Sequence, residues 1–350
     1  MNGTIYDFRA LPLLGLDVPA LRRQPLVRRQ DTTVRSPGLV GVVTNPRSRG
    51  NLHRAGMSEE AARPDVMTAA PDTRAELMAV LAGYARAGID VLVIDGGDGT
   101  VRDVLTCAGS VWSDRWPVIA VLPSGKTNAL ALDLGVPAGW KLPDALAAMH
   151  TGRTVKRAPI QVTRGADDEG VVRGFLFGAG VFVAATELAQ HTHRAGLFNS
   201  VAVGMALGLG LMRSVFGTAD SPWRRGSRMT LNYGPNSVGM HGIVPHGEGR
   251  RHIMLASTLQ RLPTGVKPFG TPRAGLKTLV VDAPPRRLAA SLYGLLTGSE
   301  DPELERLGFH RADAERIEVD VESGFILDGE MFPAGSYVLG RAAPLRFLVP

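Results

Sequence analysis

Residues Asp90–Val104 of this 350-residue chain read DVLVIDGGDGTVRDV. The apolar run Val91–Ile94, which is entered from Ile89, is typical of a buried strand in a parallel sheet. A glycine-rich turn, Gly96–Thr100, follows it, and a helical pattern begins at Val101. Such a turn can cradle phosphate, because glycine lets the backbone approach a ligand and the first N–H groups of a helix attract anions. A plain strand-to-helix loop would have the same outline, so both interpretations are open at this point.

Two carboxylates favour the phosphate interpretation. Asp95 ends the strand and Asp98 lies inside the turn. Two acidic groups beside a phosphate site are best explained by a cation between them. The stretch therefore predicts a nucleotide or phosphate site with a bound cation.

Composition describes a globular chain with a basic surface. Hydrophobic residues make up 44% of it, and its mean hydropathy is +0.04. Its length allows two domains. The single cysteine, Cys107, rules out an internal disulfide and suits a reducing cytoplasm. We find no run of ~20 apolar residues and no secretion signal, so we expect a cytoplasmic protein. The net charge of +6 predicts an anionic partner, which could be a membrane surface, a nucleic acid or a nucleotide.

The chain divides into three parts. Residues 1–37 contain several prolines and arginine pairs, and we expect either a solvated tail or an arm that contacts anionic membranes. Residues 38–152 alternate strands and helices, which predicts a three-layer α/β domain with a mostly parallel sheet. Residues 153–350 contain short strands separated by turns, which predicts an all-β unit, either a β-sandwich or a barrel-like pair of sheets. Helical patterns interrupt this part at Ala195–Phe216 and at Leu288–Leu296. The first of these could be a core helix or the wall of a lipid pocket.

Two more polar loops follow strands in the predicted α/β domain. One begins with Asn45 and Pro46, and the other is Pro123–Asn128. Loops after parallel strands meet at one edge of the sheet, where ligands bind. The second loop is not a Walker loop, because Ala120 stands where that motif requires glycine. Within it, Lys126 could contact phosphate, and Asn128 could cap the next helix.

A late motif supplies two further carboxylates. Phe325–Leu327 is a predicted strand, and Asp328-Gly329-Glu330 follows it. An Asp-Gly hairpin turn is one interpretation. The other is a catalytic base, because side chains two apart in an extended segment point the same way and could reach one cleft.

In their order and spacing, these four loops resemble the diacylglycerol kinase catalytic-domain family, which includes bacterial diacylglycerol kinases, sphingosine kinases and ceramide kinases. The resemblance covers residues 38–350. It implies a nucleotide domain, a β-rich lipid-substrate domain and an active site in the cleft between them. It also implies Mg²⁺-dependent transfer of the γ-phosphate of ATP to a lipid hydroxyl, of a diacylglycerol, ceramide or sphingoid-type alcohol.

The resemblance assigns roles to individual residues. Glu330 becomes the general base with Asp328 as a supporting carboxylate, and Asp98 acts through the metal. Asp98 and Asp328 become the metal ligands. The residues implied in ATP binding are Asn45, Pro46, Thr68, Gly96, Gly97, Asp98, Gly99, Thr100, Gly125, Lys126, Thr127 and Asn128.

The chain also departs from the family pattern. Lys126 displaces the hydroxyl of the third loop by one position, and Arg102-Asp103 replaces Asn-Glu. The residues around Arg273-Ala274-Gly275 replace an Asp-Asp-Gly segment that helps to hold a structural Mg²⁺ in some bacterial members, and an Asp is lost near Val181–Ala184. An NAD kinase-like enzyme, which shares the GGDG loop and the two-domain plan, is one alternative. The altered third loop favours another, a pseudokinase that binds nucleotide or membrane without catalysis.

The partners that we expect are a lipid alcohol and an anionic membrane surface, with peripheral membrane association and a homodimer as an option. Nucleic acid is not expected.

Overall fold

The structure is a computed structural model that describes residues 11, 38–51, 63–113, 115–164, 170–183, 225–284 and 288–350. The predicted arm, apart from a buried Leu11, and the predicted helix Ala195–Phe216 lie outside the described residues. Within the described ranges, no helix has both the length and the apolar character needed to cross a bilayer.

The described elements are numbered in chain order. The helices are α1 (Arg74–Ala87), α2 (Asp98–Val111), α3 (Ala129–Leu134), α4 (Leu142–Thr151), α5 (Leu288–Thr297) and α6 (Pro302–Arg306). The strands are β1 (Val40–Thr44), β2 (Val66–Ala69), β3 (Val91–Gly96), β4 (Val118–Pro123), β5 (Thr154–Arg157), β6 (Ile160–Arg164), β7 (Val171–Gly174), β8 (Leu176–Gly180), β9 (Ser227–Tyr233), β10 (Val238–Gly239), β11 (Gly247–Ser257), β12 (Leu276–Asp282), β13 (Phe309–Ala314), β14 (Arg316–Val321), β15 (Phe325–Leu327), β16 (Glu330–Phe332), β17 (Gly335–Arg341) and β18 (Leu345–Leu348).

In the part of the chain that the structure describes, the first sheet has six strands, in the order β2-β1-β3-β4-β18-β5. All neighbouring pairs are parallel except β18 with β5. All six residues of β3 are buried, as expected for a central parallel strand covered on both faces. The sheets do not divide at residue 152, because β5 and the last strand, β18, both complete this first sheet.

Helix α1 shows how local sequence sets the element ends. The hydroxyl of Thr73 accepts a hydrogen bond from the amide of Glu76 at 3.2 Å, which caps the first turn. Gly88 ends the helix with a left-handed φ of 72°, as its position predicts. Leu77, Leu81 and Tyr84 are buried against the sheet.

Among the described residues, the second sheet contains twelve strands, and its pairings are antiparallel. It splits at β11, which pairs with β9 along its first half and with β8 along its second. The branch β8-β15-β16 packs on the rest through aromatic rings, because the ring centroid of Phe325 on β15 lies 4.7 Å from that of Tyr337 on β17. Within the branch, Phe325 stacks on Phe177 of β8 at 4.9 Å. The predicted fold class, α/β followed by a β-rich unit, is confirmed.

Helix α2 joins the two parts, because it lies against β7. The amide of Arg173 donates to the hydroxyl of Thr106 at 3.0 Å. A second connection is Asp133 on α3, whose Oδ1 accepts from the amides of Gln260 and Arg261 at 2.8 and 2.7 Å. Both contacts fix the α/β domain against the β-rich domain. The predicted phosphate-binding loop Gly96–Thr100, called the phosphate-type loop below, leads into α2, and the loop Pro123–Asn128 leads into α3.

Candidate functional site

The three loops that follow β1, β3 and β4 meet at one edge of the first sheet. The amide of Asn45 donates to the carbonyl of Asp95 at 2.9 Å, and the amide of Ser124 donates to the carbonyl of Gly96 at 3.2 Å. The amide of Gly50 closes the group by donating to the carbonyl of Ser124 at 2.9 Å. The predicted meeting of the loops therefore occurs, at the carboxyl ends of the strands.

Two glycines allow the second and third loops to touch. A Cβ on Gly97 would lie 2.9 Å from Cα of Gly125, and a Cβ on Gly125 would lie 2.4 Å from Cα of Gly97. Real Cβ atoms essentially never come within 3.0 Å of another heavy atom. Glycine is required at both positions because backbone meets backbone there.

Side chains of the first two loops also hold each other. Nδ2 of Asn45 donates to the hydroxyl of Thr100 at 2.9 Å, and Oδ1 of Asn45 accepts from the amide of Arg47 at 3.0 Å. The buried carboxylate of Asp95 accepts from the hydroxyl of Ser124. A cation between Asp95 and Asp98 is therefore not needed to explain Asp95.

Asp98 lies against the start of α3. Its Oδ1 accepts from the amide of Leu130 at 3.3 Å. Burial raises its pKa, although the amides of Ala129, Leu130 and Asn128 oppose the change. Asn128 does not cap α3, so that prediction is wrong. Its side chain instead bonds back to the amide and the carbonyl of Gly125, at 2.8 and 3.1 Å.

The remaining predicted nucleotide residues lie around this edge. Pro46, Lys126 and Thr127 are exposed on the loops. Thr68 is exposed on β2, paired in register with Val42.

The late motif is a two-residue hairpin. Leu327 and Glu330 are the last paired residues of β15 and β16. Asp328 and Gly329 form the turn with φ values of 46° and 80°, which is the pattern of a type I′ turn. The prediction that Asp328 and Glu330 share one extended face is therefore wrong, because a turn separates them.

The carboxylate of Asp328 is held by backbone. It accepts from the amide of Phe175 at 3.0 Å and from the amide of Leu176 at 2.9 Å. Its pKa is raised to about 7, mainly by burial and also by the nearby charge of Asp98, whereas Arg102 and these amides oppose the change. Asp98 and Asp328, from different domains, are thus close enough to repel each other.

Arg102 connects the two domains at this point. Its side chain is 4% exposed. Nη2 donates to Oδ1 of Asp103 at 2.9 Å and lies 3.5 Å from Oε2 of Glu330, and Nη1 donates to the carbonyl of Leu327 at 3.2 Å. Sequence reasoning noted Arg102 only as a departure. The sequence feature that could have indicated its role is a charged residue next to Val101 and Val104, which lie on the buried side of α2.

The donor set fits a divalent cation that is shared with a phosphate ligand. Asp98 and Asp328 offer two carboxylates, and Mg²⁺ is commonly held by one or two carboxylates together with phosphate oxygens and water. Over the described ranges, no three His, Cys, Asp or Glu side chains are grouped to hold a metal by themselves.

Residues Arg273-Ala274-Gly275 stand where some bacterial members of the family in question carry an Asp-Asp-Gly segment. Here the ammonium of Lys277 donates to the carbonyls of Arg273 and Gly275 at 3.0 and 3.2 Å.

Comparison with known proteins finds one family model and several solved structures that are similar to this chain. Residues 40–162 match the family model of the diacylglycerol kinase catalytic domain. Comparison with curated proteins gives no match for this chain. The fold is similar to that of a candidate diacylglycerol kinase from Bacillus anthracis strain Sterne, with 14% identity and a TM-score of 0.60 over 89% of this chain and 97% of that one. Two further structures from the same organism, a diacylglycerol kinase and a candidate one, have 15% identity, TM-scores of 0.55 and 0.56 and the same coverage.

At these identities, the solved structures show the fold. The family match covers all three loops that meet at the sheet edge, whereas the late hairpin lies beyond it. Residues 40–162 are thus similar in sequence to the diacylglycerol kinase catalytic domain, and the solved structures extend the similarity of fold to 89% of the chain.

Proposed function

We propose that this protein is a kinase that transfers the γ-phosphate of ATP to the hydroxyl group of a lipid. One observation carries the proposal: the hairpin with Asp328 and Glu330 lies against the helix that begins at the phosphate-type loop. The 3.5 Å contact between Arg102 and Glu330 joins the two. The match of residues 40–162 to the diacylglycerol kinase catalytic-domain model supports the kinase class.

The nucleotide would bind on the α/β domain. Gly96–Thr100 leads into the first turn of α2, whose free amides are suited to phosphate oxygens. The contact between Gly97 and Gly125 fixes the relative position of two loops before any ligand arrives. Lys126 is exposed on the third loop and would add a cation near the phosphates.

Asp98 and Asp328 would hold Mg²⁺, which neutralises charge on the β- and γ-phosphates when bound. Both carboxylates are fixed in place by backbone amides, of α3 for Asp98 and of β8 and the residue before it for Asp328. Their mutual repulsion would be relieved by a bound cation, and by protonation of Asp328 without one.

The transfer forms one bond and breaks another. The acceptor oxygen bonds to the γ-phosphorus, the bond to the bridging oxygen breaks, and ADP leaves with that electron pair. The hydroxyl proton passes to Glu330, whose side chain is 30% exposed and can be reached by a substrate. Asp328, bound to two amides, fixes the hairpin that presents Glu330.

The acceptor would be a diacylglycerol, a ceramide or a sphingoid-type alcohol. A lipid substrate requires contact with a membrane, and the net charge of +6 favours an anionic surface. Peripheral association, a homodimer and the lack of a nucleic acid partner remain predictions.

Radiolabelled ATP tests the proposal directly. The protein would be incubated with Mg²⁺, γ-labelled ATP and a panel of lipid alcohols in detergent micelles, with NAD as a separate acceptor, and products would be separated by thin-layer chromatography. We expect a labelled lipid and a loss of about a hundredfold or more in kcat for Asp98→Asn and Glu330→Gln. Label in NAD would instead identify an NAD kinase. Nucleotide binding without labelled product from any acceptor would identify a pseudokinase.

A further inference from the structure

Arg102 occupies an unusual position for a buried cation. It lies one turn into α2, and its Nη2 is 3.8 Å from where a Cβ on Gly99 would lie. The same guanidinium reaches the carbonyl of Leu327 and the carboxylate of Glu330 on the hairpin. One side chain therefore lies beside the phosphate-type loop and contacts the motif that carries the proposed base.

The acidic groups around Arg102 belong to both domains. Asp103 is its direct partner on α2, and Glu330 and Asp328 of the hairpin also interact electrostatically with it. Burial raises the pKa values of Asp103 and Asp328, and Arg102 opposes both changes. Carboxylates gathered from two domains repel each other unless a cation lies among them, and Arg102 supplies one from within the chain.

We propose that Arg102 is a positioning residue that holds the hairpin against the nucleotide domain and aims Glu330 at the phosphate-type loop. This inference rests on the proposed function, because Glu330 is the base in that proposal. A guanidinium is suited to the task, since its planar fork donates in several fixed directions. The ammonium of a lysine is a compact point charge without this fork, in which Nη1 reaches Leu327 while Nη2 reaches Asp103 and Glu330.

Arg173 provides a matched control. It is also an arginine between α2 and the β-rich domain, and burial lowers its pKa to about 10. It donates to the carbonyl of Leu105 and to the side chain of Gln161 at 3.4 and 3.3 Å, so these hydrogen bonds tie it to α2 and β6 rather than to the hairpin residues 327–330. Arg173→Lys should therefore disturb packing between the domains without moving Glu330.

The test compares Arg102→Lys and Arg102→Met with Arg173→Lys in the full chain. Hydrogen exchange would be followed in peptides covering residues 325–332, and lipid phosphorylation would give kcat and the KM for ATP. We expect faster exchange in the hairpin for both Arg102 variants. For Arg102→Lys we also expect kcat to fall about tenfold or more with the KM for ATP within about twofold. Arg173→Lys should change neither the hairpin exchange nor kcat.

Each outcome decides the matter. Unchanged hairpin exchange in both Arg102 variants would overturn the proposal, whatever the activity. Faster exchange with unchanged kcat would show that Arg102 holds the hairpin but that catalysis does not depend on the position it gives to Glu330. That result would also overturn the proposal. If the unmodified protein phosphorylates no lipid, the proposed function fails, and the exchange data still decide whether Arg102 holds the hairpin. If Arg102→Met does not fold, Arg102→Lys supplies both measurements.

Discussion

Replacing Gly125 by alanine should push apart the two loops that are proposed to hold ATP phosphates. The new Cβ would lie 2.4 Å from Cα of Gly97 and 2.7 Å from Oδ1 of Asn128. Ordinary contacts begin near 3.4 Å, so the loops would have to separate by about 1 Å to relieve the clash with Gly97. Rotation of a side chain cannot relieve it, because the atom on the other side belongs to the backbone.

Two quantities should change. Overpacking of this kind costs about 1–3 kcal/mol of unfolding free energy, which urea denaturation would measure. A displacement of about 1 Å in a positioned site can cost up to about a hundredfold in function, so we expect the Kd for ATP with Mg²⁺ to rise about tenfold or more. Isothermal titration calorimetry would measure that Kd.

Gly139→Ala is the matched control, because a Cβ on this exposed glycine would meet nothing within 4 Å. If Gly125→Ala is as stable as Gly139→Ala, the close contact between the loops is refuted. If it is destabilised but binds ATP with an unchanged Kd, the contact is structural and the two loops do not form a phosphate cradle.

Three further predictions concern single side chains. The pKa of Asp328 is raised to about 7, against an ordinary value of 3.8. Its favourable contribution to the unfolding free energy is therefore complete below about pH 4 and is lost as the pH rises through about 7. Without metal, the unfolding free energy relative to Asp328→Asn should therefore fall by roughly 2–3 kcal/mol between about pH 5 and pH 8; a difference that is constant with pH would contradict the burial of this group. Asp133→Ala should cost about 3–5 kcal/mol in urea denaturation, because Arg157, 2.5 Å from its carboxylate, and two amides lose their partner; a loss below about 1 kcal/mol would place the domain contact elsewhere. Lys126→Met should raise the KM for ATP about tenfold, or about 1.4 kcal/mol, and an unchanged KM would show that this side chain does not contact the nucleotide.

The sequence predicts those features that local patterns determine. The buried run of β3, the glycine that ends α1 and the order of the three loops all follow from hydrophobic patterning and turn chemistry. Because loops after parallel strands share an edge, the meeting of Asn45, Gly96 and Gly125 could be predicted without coordinates.

The features that the sequence does not predict depend on contacts between distant residues. The C-terminal strand β18 pairs with β4, and no local pattern indicates that the chain returns to its first sheet. The cap of α3 comes from Asp98 on another helix, although Asn128 stands at the local capping position. The local capping rule predicts Asn128, but in the folded chain the carboxylate of Asp98, a stronger acceptor, caps the helix instead.

Arg102 shows the same limit for charge. Counting residues reveals a basic chain, but it does not reveal which charges meet, and here one arginine lies among acidic groups of two domains. Burying that guanidinium is costly unless it is well paired, so its position ties together the packing of α2, the hairpin and the acidic cluster. A substitution at Arg102 should therefore affect the hairpin 228 positions further along the chain more than its own neighbours on α2. That expectation is specific to the folded contact, because nothing in the spacing of residues along the sequence would produce it.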